Sequence, residues 1–225
     1  MTLPAATQLD PGKTRALWQI SRRYCGEEGG SHGPDHTERV YHLALAIGRR
    51  MGARLDILAA AALLHDIGRR HETESRGTIC HAAKGADLAE PVLAGLGFSR
   101  PDIEAVTHCI RAHRFRGRER PRSTEAEILF DADKLDSIGA VGIGRAFLFA
   151  GQIGARLHDA EIDHMHTRSY STDDTAYREF RVKMSRVREQ LLTEPGRRLA
   201  ERRHRFMEIF FDELNLEIYG SELDR

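Results

Sequence analysis

The sequence predicts an all-α fold in a single domain. Apolar residues recur at a spacing of three to four along nearly every patterned stretch, the helical period. Helix-opening signals stand in front of several of these stretches. Alternating strand patterns are almost absent, and no repeat of fixed period or low-complexity tract interrupts the 225 residues.

Taken in order, residues 12–25 place Leu17, Trp18, Ile20, Ser21 and Tyr24 close to a helical stripe. Residues 36–51 do the same with Val40, Leu43, Ala44 and Ile47. Residues 55–67 are Ala-rich and apolar on several sides, as a central buried helix should be, with Gly68 marking the end. Residues 81–95 form the next helix. Ser99 to Asp102 reads S-x-x-D with Pro101 in the first turn and opens a helix through His113. Thr124 to Glu127 reads T-x-x-E and opens one running to Asp133. Val141–Phe149 is apolar but ambiguous, because Gly142 and Gly144 weaken a helix. Tyr177–Leu192 and Arg197–Leu216 complete the set, separated by Pro195–Gly196. The expected organisation is an N-terminal helix over 1–25, a core over 26–150, and C-terminal helices over 151–225 completing the same domain.

Composition narrows the function classes. Lys plus Arg equal Asp plus Glu at 34 each, so no global field draws the chain to nucleic acid or membrane. Any anion site must be local. The longest apolar run, Ile57–Leu64, is far too short to span a bilayer. The first ten residues lack the pattern of a signal peptide. Cys25, Cys80 and Cys109 form no CxxC pair, so free thiols in a reducing, cytoplasmic setting are expected. The unusual count is 12 His. Two loops stand out: the Arg-rich run RFRGRERPR at 114–122, read as a solvated loop or an anion-attracting rim, and the long polar stretch His158–Thr175. His164 and His166 in the latter are weak evidence of a ligand pair.

Four residues carry candidate chemistry. His36 begins one predicted helix, His65 and Asp66 close the most apolar one, and Asp133 lies in the segment DADKLD. A carboxylate after a run of Ala and Leu must be paired or bind metal, because burying it alone is expensive. Adjacent helical residues point about 100° apart, so His65 and Asp66 reach one ion only near the helix end. Two imidazoles and two carboxylates suit Mn²⁺, Fe²⁺, Co²⁺, Ni²⁺ or Zn²⁺ more than Ca²⁺, and the lack of Cys disfavours a closed structural zinc site. No G-x-x-x-x-G-K-[ST] and no G-x-G-x-x-G in a strand–helix setting is present, against a P-loop or Rossmann domain.

HGPDHTERV, ALLHDIGRR and LFDADKLDSIGAVGIGR together resemble the HD-domain metal-dependent phosphohydrolases, whose pattern is H…HD…D. The segment from Asp131 to Arg145 and the tail TEPGRRLAERRHRFMEIFFDEL are similar to a small bacterial subfamily of stand-alone HD hydrolases. The likeness runs from the Gly26 region to Leu216. The GYP signature of HD proteins that cleave cyclic dinucleotides is missing.

The resemblance implies a helical HD fold with the metal between helices. It carries the ligand roles onto His36, His65, Asp66 and Asp133, preferring Asp133 to Asp131 and Asp136 as the aspartate of the A-D-x-L core. The cofactor expected is one divalent ion, with Mn, Co, Ni, Fe, Zn and Mg all admissible. In some HD enzymes extra histidines bind a second, which His81 and His113 would supply here. Otherwise His113 and Asp136 are expected as catalytic acid–base groups, and His81, Lys84, Lys134 and Arg145 as substrate-binding residues, with Arg39 and Arg69 as further candidates. The partner is a small phosphorylated substrate, a nucleotide first; no membrane or nucleic acid is expected, and a homodimer is admitted. The activity expected is metal-dependent phosphohydrolysis without a covalent enzyme intermediate, release of pyrophosphate from a nucleoside triphosphate being the first choice. The competing readings are a phosphodiesterase and a nucleotide-binding regulatory module that does not turn over.

Overall fold

The computed structural model describes residues 9–25, 34–114, 119–159, 163–164, 166–167 and 171–221, with the Cys25 side chain outside that description. No strand occurs among the described residues, so the all-α expectation holds. The chain forms two compact units that divide between Asp133 and Lys134.

In the first unit the helices are α1 (Pro11–Cys25), α2 (Pro34–Met51), α3 (Leu55–Leu64), α4 (Arg69–Glu74), α5 (His81–Gly95), α6 (Arg100–Ala112) and α7 (Thr124–Leu135), the last two residues of α7 belonging to the second unit. α3 is the core: Leu55 and every residue from Ile57 to Leu64 are buried, and α1, α2, α5 and α6 all pack on it. Each buried Leu or Ile there contributes roughly 1.5–3 kcal/mol of hydrophobic stabilisation. The helix stops at Leu64, three residues earlier than the apolar pattern implied. The reason is a turn: Ile67 N–H donates to Leu64 O at 3.3 Å and Arg69 N–H to Asp66 O at 2.9 Å, replacing the helical ladder. α4 then begins at once, a six-residue helix that its polar sequence RRHETE did not announce.

The capping signals fare unevenly. Ser99 does cap α6, its Oγ accepting from the Asp102 N–H. In α7 the acceptor is instead Ser123, which takes the Ala126 N–H at 3.2 Å, and Thr124 is already helical.

The second unit holds α8 (Gly139–Gln152), α9 (Ala176–Val182), a 3-10 helix (Met184–Gln190) and α10 (Glu194–Tyr219). The ambiguous Val141–Phe149 run is helical within α8. Of its two glycines, Gly142 is there for space: a Cβ on it would sit 2.3 Å from the Ser137 carbonyl oxygen, whereas one on Gly144 would meet nothing within 4 Å. The expected helix over 177–192 is broken at Lys183, where the backbone leaves helical geometry and tightens into the 3-10 segment. Pro195–Gly196 does not separate two helices. It lies in the first turn of α10, where a missing proline N–H costs nothing. Thr193 Oγ1 caps that turn from the Gly196 N–H at 3.0 Å. Phe180 and Phe211 stack at 4.6 Å between ring centroids inside this unit.

Gly68 is the tightest point of the first unit. Its φ of −87° is ordinary, so the constraint is contact, not conformation. A Cβ there would lie 2.2 Å from the His81 carbonyl oxygen and 2.6 Å from the Gly85 nitrogen, both main chain at the start of α5. On Gly85 itself a Cβ would meet nothing closer than 3.4 Å. Gly68→Ala should therefore force α5 outward and cost at least the ~1–3 kcal/mol typical of overpacking. Gly85→Ala should stay within about 1 kcal/mol of the parent, helix propensity favouring the alanine. Urea unfolding of the two variants beside the parent measures the difference; equal midpoints would remove the contact argument.

Candidate metal centre

The turn after α3 answers how neighbouring residues serve one point. His65 is the C-cap of α3, and Asp66 falls in the turn, where the chain changes direction. His36, the third residue of α2, and Asp133, near the end of α7, approach the same place. His36 Nε2 lies 3.2 Å from His65 Nε2, 3.8 Å from Asp66 Oδ2 and 3.4 Å from Asp133 Oδ1. His65 Nε2 is 3.7 Å from Asp66 Oδ2.

A second histidine pair faces the other oxygen of the same carboxylate. His81 is the first residue of α5 and His113 the C-cap of α6. Their Nε2 atoms lie 3.2 Å apart, and stand 3.6 Å and 3.8 Å from Asp66 Oδ1. His36, His65 and Asp66, and separately Asp66, His81 and His113, thus bring their ligand atoms within 4.8 Å of one another, all buried.

The ring tautomers follow from the outer nitrogens. His65 Nδ1 lies 2.8 Å from Ala62 O, His113 Nδ1 2.6 Å from Ile110 O and His81 Nδ1 2.7 Å from Glu72 Oε2. Each of these partners only accepts, so each Nδ1 carries the proton and donates it. The Nε2 of each neutral ring is then a lone pair. His81 and His113 aim two such lone pairs at each other across 3.2 Å in a buried space, an arrangement that a cation between them relieves. This donor set of imidazoles and carboxylates fits a divalent transition-metal ion.

Electrostatics agree. Burial, then the neighbouring His65, pushes His113 down to about 3. Burial is also the largest cause lowering His65, followed among the lowering influences by His36, and lowering His81, followed by Arg69. All three rings are therefore held neutral, the state a metal requires. Burial alone would raise the Asp66 carboxyl, but its surroundings outweigh that and hold the group well below its usual value; with the rings neutral, the standing positive charge among them is Arg69. Arg69 does this at short range, with Nη2 2.9 Å from Asp66 Oδ1.

The other expected site residues are placed as follows. Asp131 is fully buried. Asp136 is ion-paired in the second unit, its Oδ2 accepting from Arg145 Nη1 at 2.8 Å. Lys134 belongs to that unit as well. Lys84 is half-buried on α5, one turn after His81. Arg39 pairs with Asp35 at 2.6 Å in the first turns of α2. His166 pairs with Asp163 while His164 lies edge-on to the Tyr177 ring, so they do not converge as ligands. Of the Arg-rich run, 115–118 lie outside the described residues, and Arg114 Nη2 is 2.9 Å from Glu72 Oε1. Residues 160–162, 165 and 168–170 of the long polar stretch lie outside them too. Sequence reasoning missed Glu72. The available signal was R-x-x-E from Arg69 to Glu72, an i,i+3 pair directly after the HD dipeptide.

Two buried histidine couples on either side of one aspartate make a cluster that could hold divalent metal. The family model for the HD domain matches residues 35–138. The chain is 33% identical to YpgQ of Bacillus subtilis (strain 168) over 202 residues, 88% of this chain and 90% of that protein. The crystal structure of YpgQ in complex with ADP superimposes with a TM-score of 0.72 at 31% identity, covering 92% of this chain and 98% of that one. A predicted HD-superfamily hydrolase from an uncultured Thermotogales bacterium gives a TM-score of 0.65 at 31% identity, over 90% of this chain and 91% of that one. This chain belongs to the HD-domain family of hydrolases. No helix among the described residues is long and apolar enough to cross a membrane.

Neither cluster contains a thiol. Cys109 is fully buried, and burial first, then the charge of Glu125, pushes its thiol up to about 12. Cys80, half-buried before α5, is shifted the other way. Burial would raise it, but the Ala83 and Ala82 N–H groups and Arg114 lower it. At pH 8 roughly one Cys109 thiol in ten thousand is the reactive thiolate. Alkylation of the native protein at that pH should label Cys80 and spare Cys109 until denaturant is added. Peptide mass spectrometry reads both sites, and early labelling of Cys109 would contradict the packing of α6.

Proposed function

We propose that the protein is a divalent-metal-dependent phosphohydrolase acting on a small nucleotide, releasing pyrophosphate from a nucleoside triphosphate. The observation that carries the reading is the pair of buried histidine couples on either side of the Asp66 carboxylate. His36, His65, Asp66 and Asp133 would hold one ion. Asp66, His81 and His113 would hold a second, which moves the last two histidines from substrate and proton-transfer roles to ligation. Ions in that place supply Lewis-acid polarisation of a phosphoryl oxygen and a lower pKa for water. The full donor set supports turnover over a purely regulatory pocket. The ADP found with YpgQ supports a nucleotide as the ligand class.

The chain's own residues do the rest. Three neutral imidazoles with fixed Nδ1 protons present preset lone pairs. Arg69 neutralises Asp66 across 2.9 Å, and beside bound ions its guanidinium would offer donors to phosphate oxygens. Lys84, one helical turn beyond His81, would serve as a second point charge for the same group.

Two experiments test the reading. Purified protein offered nucleoside tri-, di- and monophosphates and phosphodiesters with Mn²⁺, Co²⁺, Ni²⁺ and Mg²⁺ in turn should release pyrophosphate from a triphosphate. Tight nucleotide binding with no product under any ion would establish the regulatory module instead. Metal analysis after dialysis should find two equivalents in the parent and neither in Asp66→Ala. Asp133→Ala should lose the first ion, and His81→Ala or His113→Ala one of the two. Full metal in Asp133→Ala with loss in Asp131→Ala would show that the ligand is the other aspartate of DADKLD.

A further inference from the structure

Three of the imidazoles have their outer nitrogen held, but not by the same means. His65 and His113 close their helices and donate Nδ1–H to a carbonyl three residues back in their own helix. His81 opens α5, so no turn of that helix precedes it, and the residues before it bend elsewhere. Its Nδ1 is met from α4 by Glu72 Oε2 at 2.7 Å. The Glu72 side chain is 14% exposed, and Arg69 Nη1 at 3.2 Å and Arg114 Nη2 at 2.9 Å hold it in place. It is a fixed, half-buried carboxylate aimed at one ring nitrogen. A carboxylate behind a ligating imidazole both orients the ring and raises its donor strength.

We infer that Glu72 is a positioning residue that turns His81 Nε2 onto the second ion, so that α4 sets the affinity of that ion alone. The inference rests on the two-ion reading. Three consequences separate it from a merely structural link between α4 and α5. Removing the side chain weakens one ion and not the other. Glutamine, whose amide oxygen accepts the same hydrogen bond at the same reach, restores more than aspartate, which keeps the charge but falls short. Excess metal rescues turnover, because the ligands themselves are intact.

The experiment titrates chelator-stripped full-length protein with Mn²⁺, reading stoichiometry and affinity by calorimetry and kcat against Mn²⁺ concentration. Glu72→Ala should bind the second equivalent roughly 10- to 100-fold more weakly, with the first within about twofold of the parent. Glu72→Asp should resemble it, Glu72→Gln should lie closer to the parent, and saturating Mn²⁺ should return most of kcat. Parental affinity for both ions in Glu72→Ala overturns the inference. So does a Glu72→Asp that binds as the parent beside a Glu72→Gln as weak as alanine, since charge and not orientation would then be the cause. If Glu72→Ala does not fold, the glutamine and aspartate variants decide by that same order. A parent that takes up only one equivalent overturns the two-ion reading itself, a result distinct from the failure of Glu72.

Discussion

The first unit is organised around one buried carboxylate with two faces. Asp66 is 3% exposed, and an ionised group so placed is tolerated only with compensating charge and hydrogen bonds. One oxygen looks to His36 and His65, the other to His81 and His113. Four separate chain segments must therefore meet at a single side chain. The short turn after α3, the side-chain-free Gly68 and the close approach of α5 all serve that meeting.

Helix ends supply the four imidazoles. His65 and His113 are C-caps, His81 is a first residue and His36 lies in a first turn. The final carbonyls of a helix have no partner in the ladder. Here two of them, Ala62 and Ile110, are used to fix imidazole tautomers. The same main-chain deficit that a cap normally relieves is turned into imidazole orientation. His81, at the opposite kind of helix end, has no such carbonyl and takes its partner from another element.

Much of this was legible from residue order. The buried character of α3 follows from its uninterrupted Ala and Leu, and the grouping of His36, His65, Asp66 and Asp133 from the motifs they sit in. What escaped was set by tertiary contact. α4 carries no apolar stripe, so nothing in its composition distinguished it from loop, and Glu72 went with it. His81 and His113, put forward by the family likeness as ligands of a second ion, are 32 residues apart, and it is the packing of α5 on α6 that brings their Nε2 atoms together. Pro195 read as a separator because proline stops a helix in its interior; the Thr193 cap places it where proline instead begins one. The break at Lys183 has no breaker residue to announce it, since MSRVREQ is composed of ordinary helix formers.

The main-chain contact at Gly68 has a consequence for how such proteins diverge. Because residue 68 touches the backbone of residues 81 and 85, the span between the two imidazole couples is a dimension of the polypeptide itself, not of any replaceable group. Side chains around the two couples can be exchanged while that span stays set, like the gap of a calliper. On the proposed function, the frame that would hold the ions is thereby separable from the groups that would meet a substrate, and one can stay while the other is exchanged.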